Sequence, residues 1–201
     1  AEVWNSKKKK MIVIGQQKPN SELNLILEKL AQDPSIIILT ETTSNTFISN
    51  GINCIDKALS TIDQKHSEDF LPDLLITVHS NIVSKKIKAF LRTEKPFNHW
   101  HIDELRAYDT FGALTKHFRT TPNHFFGELL PHTIASKSDY KNVFQEINIS
   151  RKVKHNKYLS LIKPDMFEFH LSYLVCLSSF SLLHCYSAYH KGILRSQHNY
   201  L

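Results

Sequence analysis

Short unbroken apolar runs, each followed by a polar turn and an amphipathic stretch, recur along the first two thirds of the chain. Met11 to Ile14 form the first run, and continuous apolarity over so few residues fits a strand covered on both faces. Gly15 ends it, and Pro19, Asn20 and Ser21 supply turn and cap chemistry. Leu23, Ile26, Leu27, Leu30 and Ala31 then fall at i, i+3, i+4, i+7 and i+8, one apolar face of a helix.

The cycle repeats. It predicts a second strand over Ser35 to Glu41, a short helix over Cys54 to Ile62 and a polar loop over Asp63 to Asp69. A third strand over Asp73 to Val78 leads into a helix from Ser84 to Arg92. Phe97 to Asp103 and Ala113 to Thr120 read as fourth and fifth strands, and Pro122 opens a helix through its first turn. Strands alternating with helices over short connections imply parallel pairing, because each crossover returns the chain across the sheet. The expected fold is α/β, a three-layer Rossmann-like domain with a mostly parallel sheet. It occupies about residues 8 to 137 within a first unit spanning 1–137. A connector helix is expected over 138–162, its apolar positions thinning after Ile149. The tail, 163–201, has poor periodicity and no acidic residue beyond Glu168, as expected of a truncated or out-of-frame end.

A chain of 201 residues suits one well-buried domain with appendages. With 41% hydrophobic and 22% charged residues, wholesale disorder is not expected. No stretch reaches the roughly 20 apolar residues of a membrane span. The opening AEVWNSKKKK is not followed by the apolar core of an export signal, and its first residue is not Met, as expected of a processed or excised segment. Three cysteines, Cys54, Cys176 and Cys185, show no CxxC or zinc-like spacing and fit a reduced, cytoplasmic setting. Most of the net charge of +6 lies beyond residue 140: residues 1–140 carry 17 basic against 16 acidic groups, residues 141–201 carry 8 against 3. Lys7 to Lys10 read as a solvated lead-in to the first strand rather than a phosphate or nucleic-acid site.

The first strand exits into GQQKPNSE, not G-x-G-x-x-G, and no G-x-x-x-x-G-K-[ST] loop occurs. With five glycines in all, a nucleotide cradle is not expected. His99 and His101 share one face of the fourth strand, a metal-capable pair with no nearby Cys, Asp or Glu cluster to complete it. Hydrogen-bonded strand histidines are the better reading. Asp103 and Glu104 lie just past that strand and read as turn or cap residues, as do the residues of ETTSN, Glu41 to Asn45. Cys176 and Cys185 have no base partner. The best candidate is HSNIVSKK. Ser80 and Asn81 follow a strand, Ser84 can cap the next helix, and Lys85 and Lys86 occupy its first turn. Lysines there oppose the helix dipole by a few tenths of a kcal/mol, a cost that a carboxylate-bearing partner or plain solvation would explain.

The runs VWNSKKKKMIVIGQQKPN, ILTETTSN, PDLLITVHSNIVSKKIKAFLR and FNHWHID together resemble the middle domain of the 2-succinyl-5-enolpyruvyl-6-hydroxy-3-cyclohexene-1-carboxylate synthase family. The likeness covers about residues 2 to 160, with YKNVFQEI similar to the family's connector. It implies a parent enzyme of menaquinone biosynthesis that uses thiamine diphosphate with magnesium or manganese, held between pyrimidine-binding and diphosphate-binding domains. The parent would decarboxylate 2-oxoglutarate and add the product to isochorismate, as a homo-oligomer. The family's basic pair matches Lys85 and Lys86, and the resemblance gives these two, with Ser80 and Asn81, a substrate-binding role. No catalytic, cofactor or metal residue is expected in this chain. The metal-holding Gly-Asp-Gly is absent, and His79 stands where many relatives have glycine, which predicts a local change of backbone. A fragment inactive by itself is the expected state. A small nucleotide-dependent transferase is disfavoured by the missing cradle. The alternative is a free-standing, non-catalytic α/β binding module with a basic tail, for which nucleic acid is a disfavoured partner and a membrane is none.

Overall fold

A computed structural model of the chain describes residues 1–60, 62, 67–79 and 81–161. Five strands form one sheet: β1 (Lys10–Ile14), β2 (Ile36–Thr40), β3 (Leu74–Val78), β4 (His99–Ile102) and β5 (Leu114–Phe118). Their order is β2-β1-β3-β4-β5, and every pairing is parallel. Around them lie α1 (Glu2–Asn5), α2 (Ser21–Leu30), α3 (Ile55–Leu59), α4 (Ser67–Phe70), α5 (Lys85–Thr93), α6 (Pro122–Leu129) and α7 (Tyr140–Leu161). The fold is therefore the expected three-layer α/β arrangement.

Side-chain alternation along the strands sorts the core into two layers. Ile12, Ile14 and Ile76 face Leu23, Leu27 and Phe126 of α2 and α6. Met11, Val13 and Leu75 face Ile55, Ile87 and Phe144 of α3, α5 and α7. Both faces of β1, β2 and β3 are buried, so their apolar runs are unbroken in the sequence. Each such side chain contributes roughly 1.5 to 3 kcal/mol through burial. β5 closes one edge and stays partly exposed. Its pairing with β4 is irregular between His99 and Trp100, where the Thr115 hydroxyl takes the missing ladder bonds with the His99 N–H and carbonyl at 3.1 and 2.9 Å.

Three local readings of the sequence change. Ser67 to Asp69, expected in a loop, belong to α4, whose Phe70 anchors it in the core. The ordered domain reaches back to α1, where Trp4 is fully buried. Lys10 is not a solvated lysine: it opens β1 with no exposed surface. Its Nζ donates to Ser35 Oγ at 2.6 Å, lies 3.7 Å from Asp33 Oδ2 and sits 5.6 Å from the Trp4 ring centre. Burial pushes its ammonium below the usual lysine range, and the Asp33 charge opposes that fall.

α7 joins this network at its first turn. Lys141 is buried, its Nζ donates to the Ala31 carbonyl at 2.5 Å, and its backbone N–H donates to Pro34 O. Tyr140 donates its hydroxyl to the Phe70 carbonyl at 2.8 Å, and Phe144 meets the Phe70 ring edge-to-face at 5.1 Å. Further along, Ile149, Val153 and Tyr158 are exposed. Among the described residues no helix is long and apolar enough to cross a membrane.

Candidate functional site

In a sheet of this order the strand sequence reverses between β1 and β3, and ligands of open α/β sheets gather at the carboxyl ends there. In this chain that crevice is laced by its own groups. The Gly15 N–H donates to Val78 O at 2.8 Å and the Gln16 N–H to Asn81 O at 3.0 Å, while Asn81 Nδ2 donates to Gln16 Oε1 at 2.7 Å. A Cβ at Gly15 would stand 3.0 Å from the Val78 carbonyl oxygen and 3.2 Å from that of His79, so a side chain here would press the two strand ends apart by a few tenths of an ångström. His79 itself takes the left-handed conformation (φ 57°), which glycine adopts freely and a side-chain-bearing residue does not. Its Nδ1 lies 3.7 Å from Asp103 Oδ2 at the end of β4.

Beside the crevice, α5 begins. The Ser84 hydroxyl accepts from the Ile87 N–H at 3.2 Å, the N-cap expected from the sequence, and donates to Asp56. Both oxygens of Glu41 are used as well: Oε2 accepts from the Val83 N–H at 2.8 Å and Oε1 from the Ser84 N–H at 2.5 Å. Two carboxylates, Glu41 from the end of β2 and Asp56 from the start of α3, thus meet the backbone and the cap hydroxyl of this helix start rather than its lysines. Glu41 precedes a 3-10 turn over Thr42–Ser44, closed by Asn45 in the left-handed region (φ 48°), so ETTSN carries the expected turn chemistry. A cavity of about 390 Å³ opens here, lined by Glu41, Thr42, Asn53, Cys54, Asp56 and Ser84.

Lys85 and Lys86 are both exposed and, among the described residues, neither forms an ion pair. They do not act as one unit. Lys86 borders a separate cavity of about 390 Å³ between α3 and α5, with Leu59, Phe90 and Glu94. Lys85, one position and about 100° around the helix, does not line it. Asn81 is exposed and holds Gln16. Ser80 lies outside the described residues.

The histidine pair is structural. His99 Nε2 and His101 Nδ1 meet the single hydroxyl of Thr77 at 2.8 and 2.7 Å, from the neighbouring strand β3. Burial pushes the His99 imidazole down to about 4, with His101 adding to the fall and Asp109 opposing it. Burial also lowers His101. Two neutral rings result, and at His99 the buried Nδ1 makes no hydrogen bond. Asp103 ties its turn: burial raises its carboxyl, but the Leu105 and Arg106 N–H groups, at 2.8 and 3.3 Å, hold it below its usual value. Glu104 is exposed, and Cys176 and Cys185 lie outside the described residues. Among the described residues no group of three His, Cys, Asp or Glu could hold a metal ion. The laced crevice and this donor set do not fit thiamine diphosphate or its metal.

The class defined by these features is a parallel α/β domain whose switch point is closed by its own chain and whose basic residues lie on the rim. No family model matches the chain. Curated relatives do. The 2-succinyl-5-enolpyruvyl-6-hydroxy-3-cyclohexene-1-carboxylate synthase of Flavobacterium johnsoniae is 50% identical over 161 residues, 80% of this chain and 29% of that protein. The Flavobacterium psychrophilum protein of the same name is 47% identical over 79% of this chain and 29% of its own length. That of Christiangramia forsetii is 44% identical over 58% of this chain and 21% of its own. The chain belongs to this synthase family, as a segment spanning about 29% of the length of its Flavobacterium relatives.

Glu41 and Asp56 were not singled out as partners of the lysine-bearing turn from sequence. Glu41 lies 43 positions from Ser84 and Asp56 lies 28, and only the pairing of β2, β1 and β3 brings them together. The available signal was weaker: an acidic residue at the end of a predicted strand.

Proposed function

We propose that this chain is the central domain of a menaquinone-pathway transferase whose parent decarboxylates 2-oxoglutarate and adds the product to isochorismate. The observation that carries this reading is the 50% identity over 161 residues to a synthase of that name. Thiamine diphosphate and magnesium or manganese would be held by the parent's pyrimidine-binding and diphosphate-binding domains. The parent would be a cytoplasmic homo-oligomer, and this chain by itself inactive. The units are a central domain over 1–137, a connector over 138–162 and a tail without assigned role over 163–201.

Within that reading the contribution of this chain is electrostatic. Lys85 stands exposed on the rim with no acid paired to it among the described residues, free to meet a substrate carboxylate. Lys86 is a second, separately directed positive charge, Asn81 is a neutral donor at the adjoining strand end, and Ser80 enters the proposal on its place in the sequence alone. A charge-assisted hydrogen bond of this kind contributes about 1.5 to 3 kcal/mol. In the complete parent, Lys85→Ala is therefore expected to raise KM for a carboxylate substrate by roughly 10- to 100-fold, with the thermal midpoint unchanged. Unaltered steady-state kinetics would remove Lys85 from the site.

A further inference from the structure

The start of α5 presents an imbalance. Two lysines occupy its first turn, where the helix dipole disfavours cations, yet both are exposed and form no ion pair among the described residues. The turn is held instead through its backbone. Glu41 spans the N–H groups of Val83 and Ser84 with its two oxygens, and Asp56 takes the Ser84 hydroxyl. These bonds end one residue before Lys85. The carboxylates therefore satisfy the helix end and fix the backbone that bears the lysine, while leaving the ammonium free.

From this geometry we infer that Glu41 is a positioning residue: it holds the 83–85 backbone so that Lys85 projects from the rim in a fixed direction toward an anionic ligand. The inference rests on the substrate-binding reading of Lys85 given above and deepens it. Three features support it. Glu41 approaches from β2, two strands away from β3 in the sheet, so its bonds tie the turn to the far side of the switch point. Ile82 anchors the chain in the core just before the turn, but Val83 is 52% exposed and Ser84 is polar, so the two residues that Glu41 holds bring little apolar anchoring of their own. A cavity of about 390 Å³ adjoins the turn on the Thr42 and Asn53 side, with Val83 and Ser84 in its lining. Glutamine at position 41 offers one acceptor oxygen where the carboxylate offers two, so Glu41→Gln releases at least one of the two backbone N–H groups.

The test is a double-mutant cycle in the complete synthase that carries this segment, reading KM and kcat separately for a carboxylate substrate. Glu41→Gln is expected to raise KM about tenfold and to change kcat less than twofold. In a Lys85→Ala background the same substitution is expected to change KM less than twofold, because the residue acts through the lysine. Independent, multiplying effects of the two substitutions would overturn the inference, since a general loosening of the fold does not depend on the ammonium. An unchanged KM in Glu41→Gln alongside a raised KM in Lys85→Ala would overturn the inference and leave the role of Lys85 standing. An unchanged KM in Lys85→Ala would overturn both. If Glu41→Gln does not accumulate as folded protein, Asp56→Asn probes the same turn through the Ser84 hydroxyl. A rise of about threefold that vanishes in the Lys85→Ala background supports the inference, and no rise, or one that persists there, overturns it.

Discussion

His79 shows how much one backbone angle can constrain. At φ 57° it pays the close approach of Cβ to its own carbonyl, about 1 to 2 kcal/mol for a residue with a side chain. Its amide nonetheless donates to the Ile102 carbonyl at 3.1 Å and its own carbonyl faces the bare Cα of Gly15, so the angle is held from both neighbouring strands. The imidazole contributes little in return, since its Asp103 contact is 3.7 Å long and partly exposed. Two substitutions should therefore move in opposite directions. His79→Gly is expected to hold or raise stability by up to about 1 kcal/mol, the relieved strain being partly offset by a freer unfolded chain. His79→Val, β-branched and ill-suited to positive φ, is expected to lose about 1 to 2 kcal/mol. Urea denaturation of the three proteins would show it, and a valine variant as stable as the original would mean that the turn relaxes away from this conformation.

At the scale of strands, β4 is the element that departs most from its apolar neighbours. Its His99 and His101 were legible as a same-face pair, because strand side chains alternate with period two. Their shared partner was not, because Thr77 belongs to β3 and strand order is not written in local periodicity. The same division runs through the sheet: Ile36 to Leu39 read as a buried strand at sight, whereas Lys10 read as solvent-facing because its partners Ser35 and Asp33 come from the β2 side. The neutral histidines carry a pH dependence with a definite sign. Unfolded chains protonate these imidazoles near pH 6.5, while the folded domain resists until about 4 at His99, so the unfolded state binds more protons between those values. Stability should be full above about pH 6.5, fall as the pH drops to about 4, and level off for this group below that. At about 1.4 kcal/mol per pKa unit His99 alone takes roughly 3 kcal/mol across the window, and His101 adds in the same direction. Asp103, held below the usual carboxylate value, gives up its share only at lower pH. Urea midpoints measured from pH 7.5 to 4 would test this, and a flat profile would show that the rings reach water.

Across the whole molecule, the question is what joins the long helix α7 to the sheet. Its amphipathic start was visible in the sequence, but its electrostatic anchor was not. Asp33 lies in the turn before β2, and its Oδ1 accepts from both the N–H and the hydroxyl of Ser35 at 2.8 and 2.7 Å. From there its charge faces two buried lysines at once, Lys10 at the head of β1 and Lys141 in the first turn of α7. Burial works against the charged form of both ammoniums, and Asp33 opposes it at each, with a smaller contribution from Asp73 at Lys10. Removing one member of a buried ionic group leaves charge uncompensated at a cost of about 3 to 5 kcal/mol. The least costly response open to Asp33→Ala is to hydrate Lys141, since α7 packs at the periphery and its second half is already exposed at Ile149 and Val153. The variant should therefore lose stability by about that amount and, before it unfolds globally, open at the start of α7. Trypsin reads this directly, because it needs an accessible lysine and Lys141 is 7% exposed in the intact protein. Cleavage after Lys141 under native conditions is expected in Asp33→Ala and not in the parent sequence. Equal protection of that bond in both would mean that Tyr140 and Phe144 hold the helix without the buried charges.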